Sequence, residues 1–174
     1  MRRLALYGGA PASDTGLMAR HALPNAADAP RGRPGAEAAL RDDPVVWLSS
    51  VQPDGRPHLV PVWFHWDGER IVAFSKPHAR KVDNLRDDPR VMVAVGTPGP
   101  DFGVELIEAI AMLPESPAAD VMPAGFGTKY RELLRRAGLT VQRFAEVYSQ
   151  PIVLSPTRFL GYGGHGWAGS EAAT

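Results

Sequence analysis

Residues 45–66 have the sequence VVWLSSVQPDGRPHLVPVWFHW, two β-branched and aromatic runs on either side of the turn Pro53-Asp54-Gly55-Arg56. Such runs are typical of strands, and Asp-Gly between them is a strong hairpin signal. A second Asp-Gly follows at 67–68, directly before another apolar run. The stretch therefore predicts an antiparallel meander of three strands, over 44–51, 57–66 and 70–74.

Pro61 interrupts the second of these strands. Proline has no N–H to give to a hydrogen-bond ladder, so in sheets it is confined mainly to edge strands and bulges. The residue indicates either an edge strand or a segment whose backbone groups are left unpaired so that they face a ligand.

After the third strand the apolar period changes to that of a helix. Ser75 is the predicted N-cap, Pro77 fits a first helical turn, and Pro89 ends the helix. One face of this predicted helix carries three residues at helical spacing: His78, Val82 and Leu85.

The rest of the chain predicts strands over 90–95 and 102–113, two helices, and a last strand over 151–160. The first helix carries the stripe Tyr130, Leu133, Leu134 and Ala137, with Lys129 solvated beside it. Gly138 ends that helix, and Thr140 caps the next. The order predicts a mainly β, α+β fold, a six-stranded antiparallel barrel with peripheral helices.

The length of 174 residues predicts one domain with extensions. Residues 1–35 are rich in Ala, Pro, Gly and Arg without a sustained period, and they predict a flexible extension. The barrel domain is expected over 36–162, and a flexible glycine-rich tail over 163–174.

Composition excludes several classes of function. Equal numbers of basic and acidic residues, 19 of each, argue against a broad nucleic-acid surface. No apolar run approaches the roughly 18 residues of a membrane span, and no signal-peptide core is found, so we expect a cytoplasmic protein. The chain has no cysteine, which excludes thiolate chemistry. His58 and His65, seven apart on one predicted strand, point to opposite faces, so no metal site is expected.

The lysines are concentrated around one predicted helix start. The chain has three lysines against sixteen arginines, and two of the three lie in Ser75-Lys76-Pro77-His78-Ala79-Arg80-Lys81. Free N–H groups and the helix dipole favour an anion at such a start, and Arg and Lys add positive charge. The segment predicts phosphate binding, with a solvated helix face balanced by Asp83, Asp87 and Asp88 as the alternative.

Residues 47–64 resemble the first hairpin of the pyridoxamine 5′-phosphate oxidase-like split β-barrel flavoproteins. Residues 74–85 and 88–91 are similar to the next characteristic block of that family, and residues 157–162 resemble the last strand of its flavin- and deazaflavin-dependent oxidoreductase branch. The resemblance covers roughly residues 38–162. It implies a split β-barrel of the FMN-binding type.

The resemblance also implies a cofactor site. Ser75, Arg80 and Lys81 would hold the cofactor phosphate, with Lys76 as a helper. The tricyclic ring would lie along one stretch of the second strand, largely through backbone contacts: His58, Val60, Pro61, Val62 and Trp63. Family members are homodimers with two cofactor sites at the interface. Four aromatic residues, more than one such barrel easily buries, also predict a homodimer: Trp47, Trp63, Phe64 and Trp66.

The implied function is an oxidoreductase that transfers a hydride between reduced coenzyme F-420 and a small organic substrate, with FMN as the alternative cofactor. A second class is a non-catalytic carrier or binding protein for a flavin, a deazaflavin or haem. A third is a dimerisation module without a cofactor. No catalytic residue is assigned, and Tyr130, Tyr148 and Glu108 are the candidate proton donors.

Overall fold

A computed structural model describes residues 34–97 and 103–162. The predicted tail and all of the predicted extension except Pro34 and Gly35 lie outside these residues. The strands of the described ranges are β1 (Val46–Val51), β2 (Pro57–Val62), β3 (Phe64–Trp66), β4 (Ile71–Ser75), β5 (Arg90–Val95), β6 (Val104–Met112) and β7 (Gln150–Tyr162). The helices are α1 (Pro34–Asp42), α2 (Arg80–Asp87), α3 (Ala118–Val121), α4 (Phe126–Lys129), α5 (Arg131–Arg136) and α6 (Val141–Val147).

The strands form one antiparallel sheet in the order β2-β1-β5-β6-β7-β4-β3. Its two edge strands, β2 and β3, are separated along the chain by Trp63 alone. The two ends of the sheet therefore meet at this point, and the sheet curls into a split half-barrel. We call residues 62–64 the seam. The prediction of a mainly β, antiparallel barrel with peripheral helices is confirmed.

The structure has seven strands in the described ranges, where six were predicted. The second predicted strand, 57–66, is broken at Trp63, because β2 pairs with β1 whereas β3 pairs with β4. At the break, the N–H of Phe64 donates to the hydroxyl of Tyr130, 2.7 Å away. Pro61 lies on the edge strand β2, which confirms the first of its two interpretations.

The predicted helix start at Ser75 is wrong. Ser75 is the last residue of β4, where it pairs with Gln150 and is buried. The strand continues that far because all five of its residues are buried. The N-cap of helix α2 is Ala79, four residues after the predicted one, which leaves Pro77 and His78 in a loop.

Helix α1 was not predicted, although Ala36 and Leu40 have helical spacing and are fully buried in the fold. The Ala-, Pro- and Arg-rich composition around them obscured the period. Between β6 and β7 the structure has four short helices where two were predicted. The predicted boundaries there are confirmed: the Thr140 hydroxyl accepts from the N–H of Arg143, and Gly138, with φ of 66°, follows α5.

The fold has two apolar cores. The first fills the barrel and is closed at one end by Leu40 of α1. The second lies between the outer face of β4 and helices α3 to α6, and it is rich in aromatic rings. Among the described residues, nothing in these helices covers the outer face of β1 and β2, where Trp47 is 49% and Leu59 57% exposed. No helix in the described ranges is long and apolar enough to cross a membrane.

Candidate functional site

A buried polar pair holds α2 against the first hairpin. The Asn84 side chain donates to the Ser50 hydroxyl at 2.9 Å, and both residues are at most 2% exposed. Ser50 is also the register partner of His58 on β2. The pair therefore holds α2, the helix predicted to bind an anion, next to the first hairpin. The second strand of this hairpin, β2, is the one that the resemblance places along the cofactor ring. Sequence reasoning missed it, because the two residues are 34 positions apart and neither belongs to a motif.

The start of α2 has two backbone donors without a partner. Its N-cap, Ala79, has no side-chain acceptor, and the Ala79 carbonyl already accepts from Val82 and Asp83. The N–H groups of Arg80 and Lys81 meet no acceptor among the described residues. Unpaired N–H groups at a helix start attract anions. The sequence predicted this property of the segment, although it placed the helix start four residues too early.

The four predicted phosphate ligands lie around this helix start. Ser75 is buried, and its hydroxyl donates to the carbonyl of Lys76, 3.1 Å away. Lys76 is exposed in the loop. Arg80 donates to the Gln52 side chain at 3.0 Å, reaching toward the β1–β2 turn. Lys81 is half-buried, and burial lowers the pKa of its amine.

The predicted ring-contacting segment lies on β2. His58 and Val60 are half-buried and Val62 is buried, whereas Pro61 is exposed on the opposite face. Because β2 is an edge strand, one side of its backbone has no strand partner. It also approaches β4, to which it is not hydrogen-bonded, so this segment and Ser75 flank the same gap between the two strands.

The indole of Trp63 packs within the protein. It stacks on Tyr130, with ring centroids 4.6 Å apart and an interplanar angle of 6°, and on Phe144 at 5.3 Å and 12°. Because this ring packs inside the second core, Trp63 is expected to contact a cofactor through its backbone, as the resemblance implies.

Tyr130 does not have the environment of a proton donor. Its side chain is fully buried, and its hydroxyl bonds to backbone atoms of Phe64 and Pro44. Burial raises the pKa of this hydroxyl well above its usual range. Of the other two candidates, Tyr148 is half-buried and stacks on Phe144, and Glu108 lies half-buried on β6. Both stay predictions.

The prediction that Lys129 is solvated is wrong. Its amine donates to the Leu40 carbonyl at 3.1 Å and lies 3.6 Å above the centroid of the Phe64 ring. In a helix the Leu40 carbonyl would accept from residue 44, but Pro44 has no N–H. Lys129 supplies the missing donor at the end of α1. The sequence gives no local signal for this contact, because 89 residues separate the two partners.

The two histidines considered for a metal lie on different strands, β2 and β3, and not on one strand as predicted. His65 packs so closely on Gly125 that a Cβ atom there would lie 2.5 Å from its Cε1 atom. Burial, and then the charge of Lys129, lower the pKa of His65. Within 34–97 and 103–162, no group of three or more His, Asp or Glu side chains is placed to hold a metal ion.

We expect the stability of the protein, relative to a Lys129→Met variant, to rise between about pH 8 and pH 10.5. Burial lowers the pKa of Lys129 from 10.5 to about 8, against a smaller opposite effect of Asp43 and Asp42. In this window the unfolded chain holds the Lys129 proton and the folded chain does not, so raising the pH favours folding. Since the amine is half-exposed, solvent screening limits the gain to about 1–2 kcal/mol.

Urea unfolding of both proteins at several pH values within and below this window measures the difference. A difference in unfolding free energy that stays constant with pH contradicts the lowered pKa.

A family model described as pyridoxamine 5′-phosphate oxidase matches residues 33–150, more than half of the chain. No functionally curated protein matches the sequence significantly. Among solved structures, an F-420 reductase is 24% identical, with 74% of this chain and 98% of that chain covered and a TM-score of 0.56. A conserved hypothetical protein from Mycobacterium tuberculosis is 21% identical, with coverages of 84% and 98% and a TM-score of 0.60. An FAD-binding protein from Mesorhizobium loti is 17% identical, with coverages of 71% and 88% and a TM-score of 0.52.

Proposed function

Because the chain belongs to the pyridoxamine 5′-phosphate oxidase family, we propose that it is an oxidoreductase that transfers a hydride between coenzyme F-420 and a small organic substrate, with FMN as the alternative cofactor. The family membership supports a flavin-type redox function. The similarity to an F-420 reductase supports the choice of the deazaflavin cofactor. The proposed location is the cytoplasm.

The start of α2 carries the proposal. Two unpaired N–H groups, those of Arg80 and Lys81, lie there with the buried Ser75 hydroxyl and three cationic side chains in a seven-residue segment. Backbone donors, a hydroxyl and positive charge together suit the binding of a phosphate group. F-420 and FMN both have a ribityl phosphate, so the donors fit either cofactor.

In this proposal the protein binds and orients, and a bound cofactor supplies the hydride chemistry. The α2 start anchors the phosphate. The backbone of β2 from His58 to Trp63 lies along the ring, because this edge strand keeps one side of its backbone unpaired. The Asn84–Ser50 bond fixes the distance between these two parts of the site.

We propose further that a second copy of the chain covers the outer face of β1 and β2. This face has Trp47 opposite Pro61, and Leu59 opposite Ser49. A contiguous exposed apolar surface on a soluble protein commonly marks an interface. In the homodimer each cofactor would lie at the boundary between the two copies, so both would contribute to each site.

Absorbance titrations test the function. Purified protein is titrated separately with F-420, FMN and haem. The F-420 and FMN forms are then chemically reduced, and each reduced form is offered electron-poor small molecules. We expect a perturbed F-420 or FMN spectrum and turnover of the loaded protein. Binding without turnover of any substrate would favour the carrier hypothesis. A protein that changes the spectrum of none of the three cofactors would contradict both.

A further inference from the structure

The hydroxyl of Tyr130 lies at the seam of the barrel. It accepts from the N–H of Phe64 at 2.7 Å and is 2.8 Å from the Phe64 carbonyl oxygen. It is also 2.9 Å from the carbonyl oxygen of Pro44, two residues before β1. One side chain thus connects the start of β3, at the break, with the entry to the first strand.

The seam needs such a partner for a reason of topology. At Trp63 the chain leaves its pairing with β1 and begins to pair with β4. Phe64, the first residue of β3, lies on an edge strand whose outer side has no strand partner, and backbone groups left unpaired in a buried position are costly. The Tyr130 hydroxyl accepts from the N–H of Phe64. Its single proton is donated to one of two carbonyl oxygens, that of Phe64 or that of Pro44.

The direction of this hydroxyl is fixed by packing. The Tyr130 ring is fully buried and stacks on Trp63, the central residue of the seam, at 4.6 Å. Phe126 packs on it at the same centroid distance. A ring held by two aromatic neighbours has little freedom to turn, so the position of the seam follows the position of Tyr130.

We infer that Tyr130 is a positioning residue for the cofactor, because it holds the seam directly after β2, the strand along which the ring is proposed to lie. The inference rests on the proposed function. Tyr130 touches no reacting group in this role: it acts through the backbone of Trp63 and Phe64. In this role the buried hydroxyl, which is unsuited to proton transfer, positions the backbone beside the cofactor.

Tyr130→Phe in the full chain tests the inference, because it removes one oxygen atom and keeps the ring. The matched control is Thr128→Val, which removes a hydroxyl from an exposed residue of α4 that makes no side-chain hydrogen bond with the described residues. A second control, Leu134→Ala, destabilises the second core but keeps the Tyr130 hydroxyl and its hydrogen bonds, because Leu134 is a buried apolar residue of the same core on α5.

The measurements are cofactor affinity, the visible spectrum of the bound cofactor, and hydrogen exchange of residues 60–65 without cofactor. For Tyr130→Phe we expect roughly tenfold weaker binding, an altered bound spectrum and faster exchange at the seam. For Thr128→Val we expect wild-type values. For Leu134→Ala we expect a lower melting temperature with an unaltered bound spectrum.

Each result bears on the inference. If wild type binds the cofactor and Tyr130→Phe binds equally well with the same spectrum, the positioning role is wrong and the proposed function stands. If Leu134→Ala alters the spectrum as strongly as Tyr130→Phe, the role is one of general stability and the inference is wrong. If wild type binds neither F-420 nor FMN, the proposed function fails, and the inference fails with it.

Discussion

Replacing Lys81 with alanine is expected to weaken cofactor binding by about ten- to a hundred-fold. Lys81 is the second residue of α2, beside the unpaired N–H groups, and it is half-buried. A charge-assisted bond to a phosphate that is partly shielded from water contributes roughly 1.5–3 kcal/mol, and each 1.4 kcal/mol corresponds to about tenfold in affinity. Fluorescence titration with F-420 and with FMN measures the loss.

The control removes one positive charge elsewhere. Lys129 is unsuitable, because its amine caps α1 and lies on the Phe64 ring. Arg131→Ala is suitable: the residue is exposed at the start of α5 and forms no ion pair with the described residues. Equal losses in the two variants would indicate general electrostatics, and an unchanged affinity in Lys81→Ala would place the phosphate elsewhere.

Leu59→Asp is expected to convert a homodimer into monomers. Leu59 is 57% exposed on the uncovered face, directly opposite Ser49 and near Trp47. A carboxylate forced into an apolar interface costs several kcal/mol, so the dimer dissociation constant should rise at least about a hundredfold. Cofactor affinity should fall in parallel, because the site is proposed to need both copies. Light scattering at micromolar concentration gives the mass.

Val141→Asp is the matched control, since Val141 is also apolar and exposed but lies on α6, away from the uncovered face. It should leave the mass unchanged. Wild-type protein that is monomeric at this concentration would contradict the proposed dimer, and so would a Leu59→Asp variant that keeps the wild-type mass.

The antiparallel meander was predictable because its signals are local. Asp54-Gly55 and Asp67-Gly68 form turns in the structure, and Gly55 and Gly68 have φ of 84° and 102°, as such turns require. The apolar runs beside them became strands for the same reason. The break at Trp63 was not predictable, because it depends on Tyr130, which lies far away in sequence and supplies the hydrogen bond to Phe64.

The candidate site also combines features that the local sequence predicts with features that depend on residues far away in the chain. The concentration of positive charge from Lys76 to Lys81 is visible in the sequence, and it identified the segment. The start of the helix was misplaced, because the pairing of Ser75 with Gln150 overrides its preference for capping a helix. Lys129 and Asn84 were missed for a related reason: both act on partners in other elements, and nothing in their immediate neighbourhood distinguishes them from surface residues.

The order of strands has a consequence for how the protein is synthesised. Within the described residues, one part of the sheet, β2-β1-β5-β6, is connected by strand hydrogen bonds to the other part, β4-β3, only through β7, which lies between β6 and β4. Its partners in β4 are nearly eighty residues earlier in the chain. A growing chain on the ribosome therefore holds two incomplete sheets with unpaired edges until residues 150–162 emerge. This interval, in which exposed edges invite pairing between chains, is when the nascent protein is most exposed to aggregation.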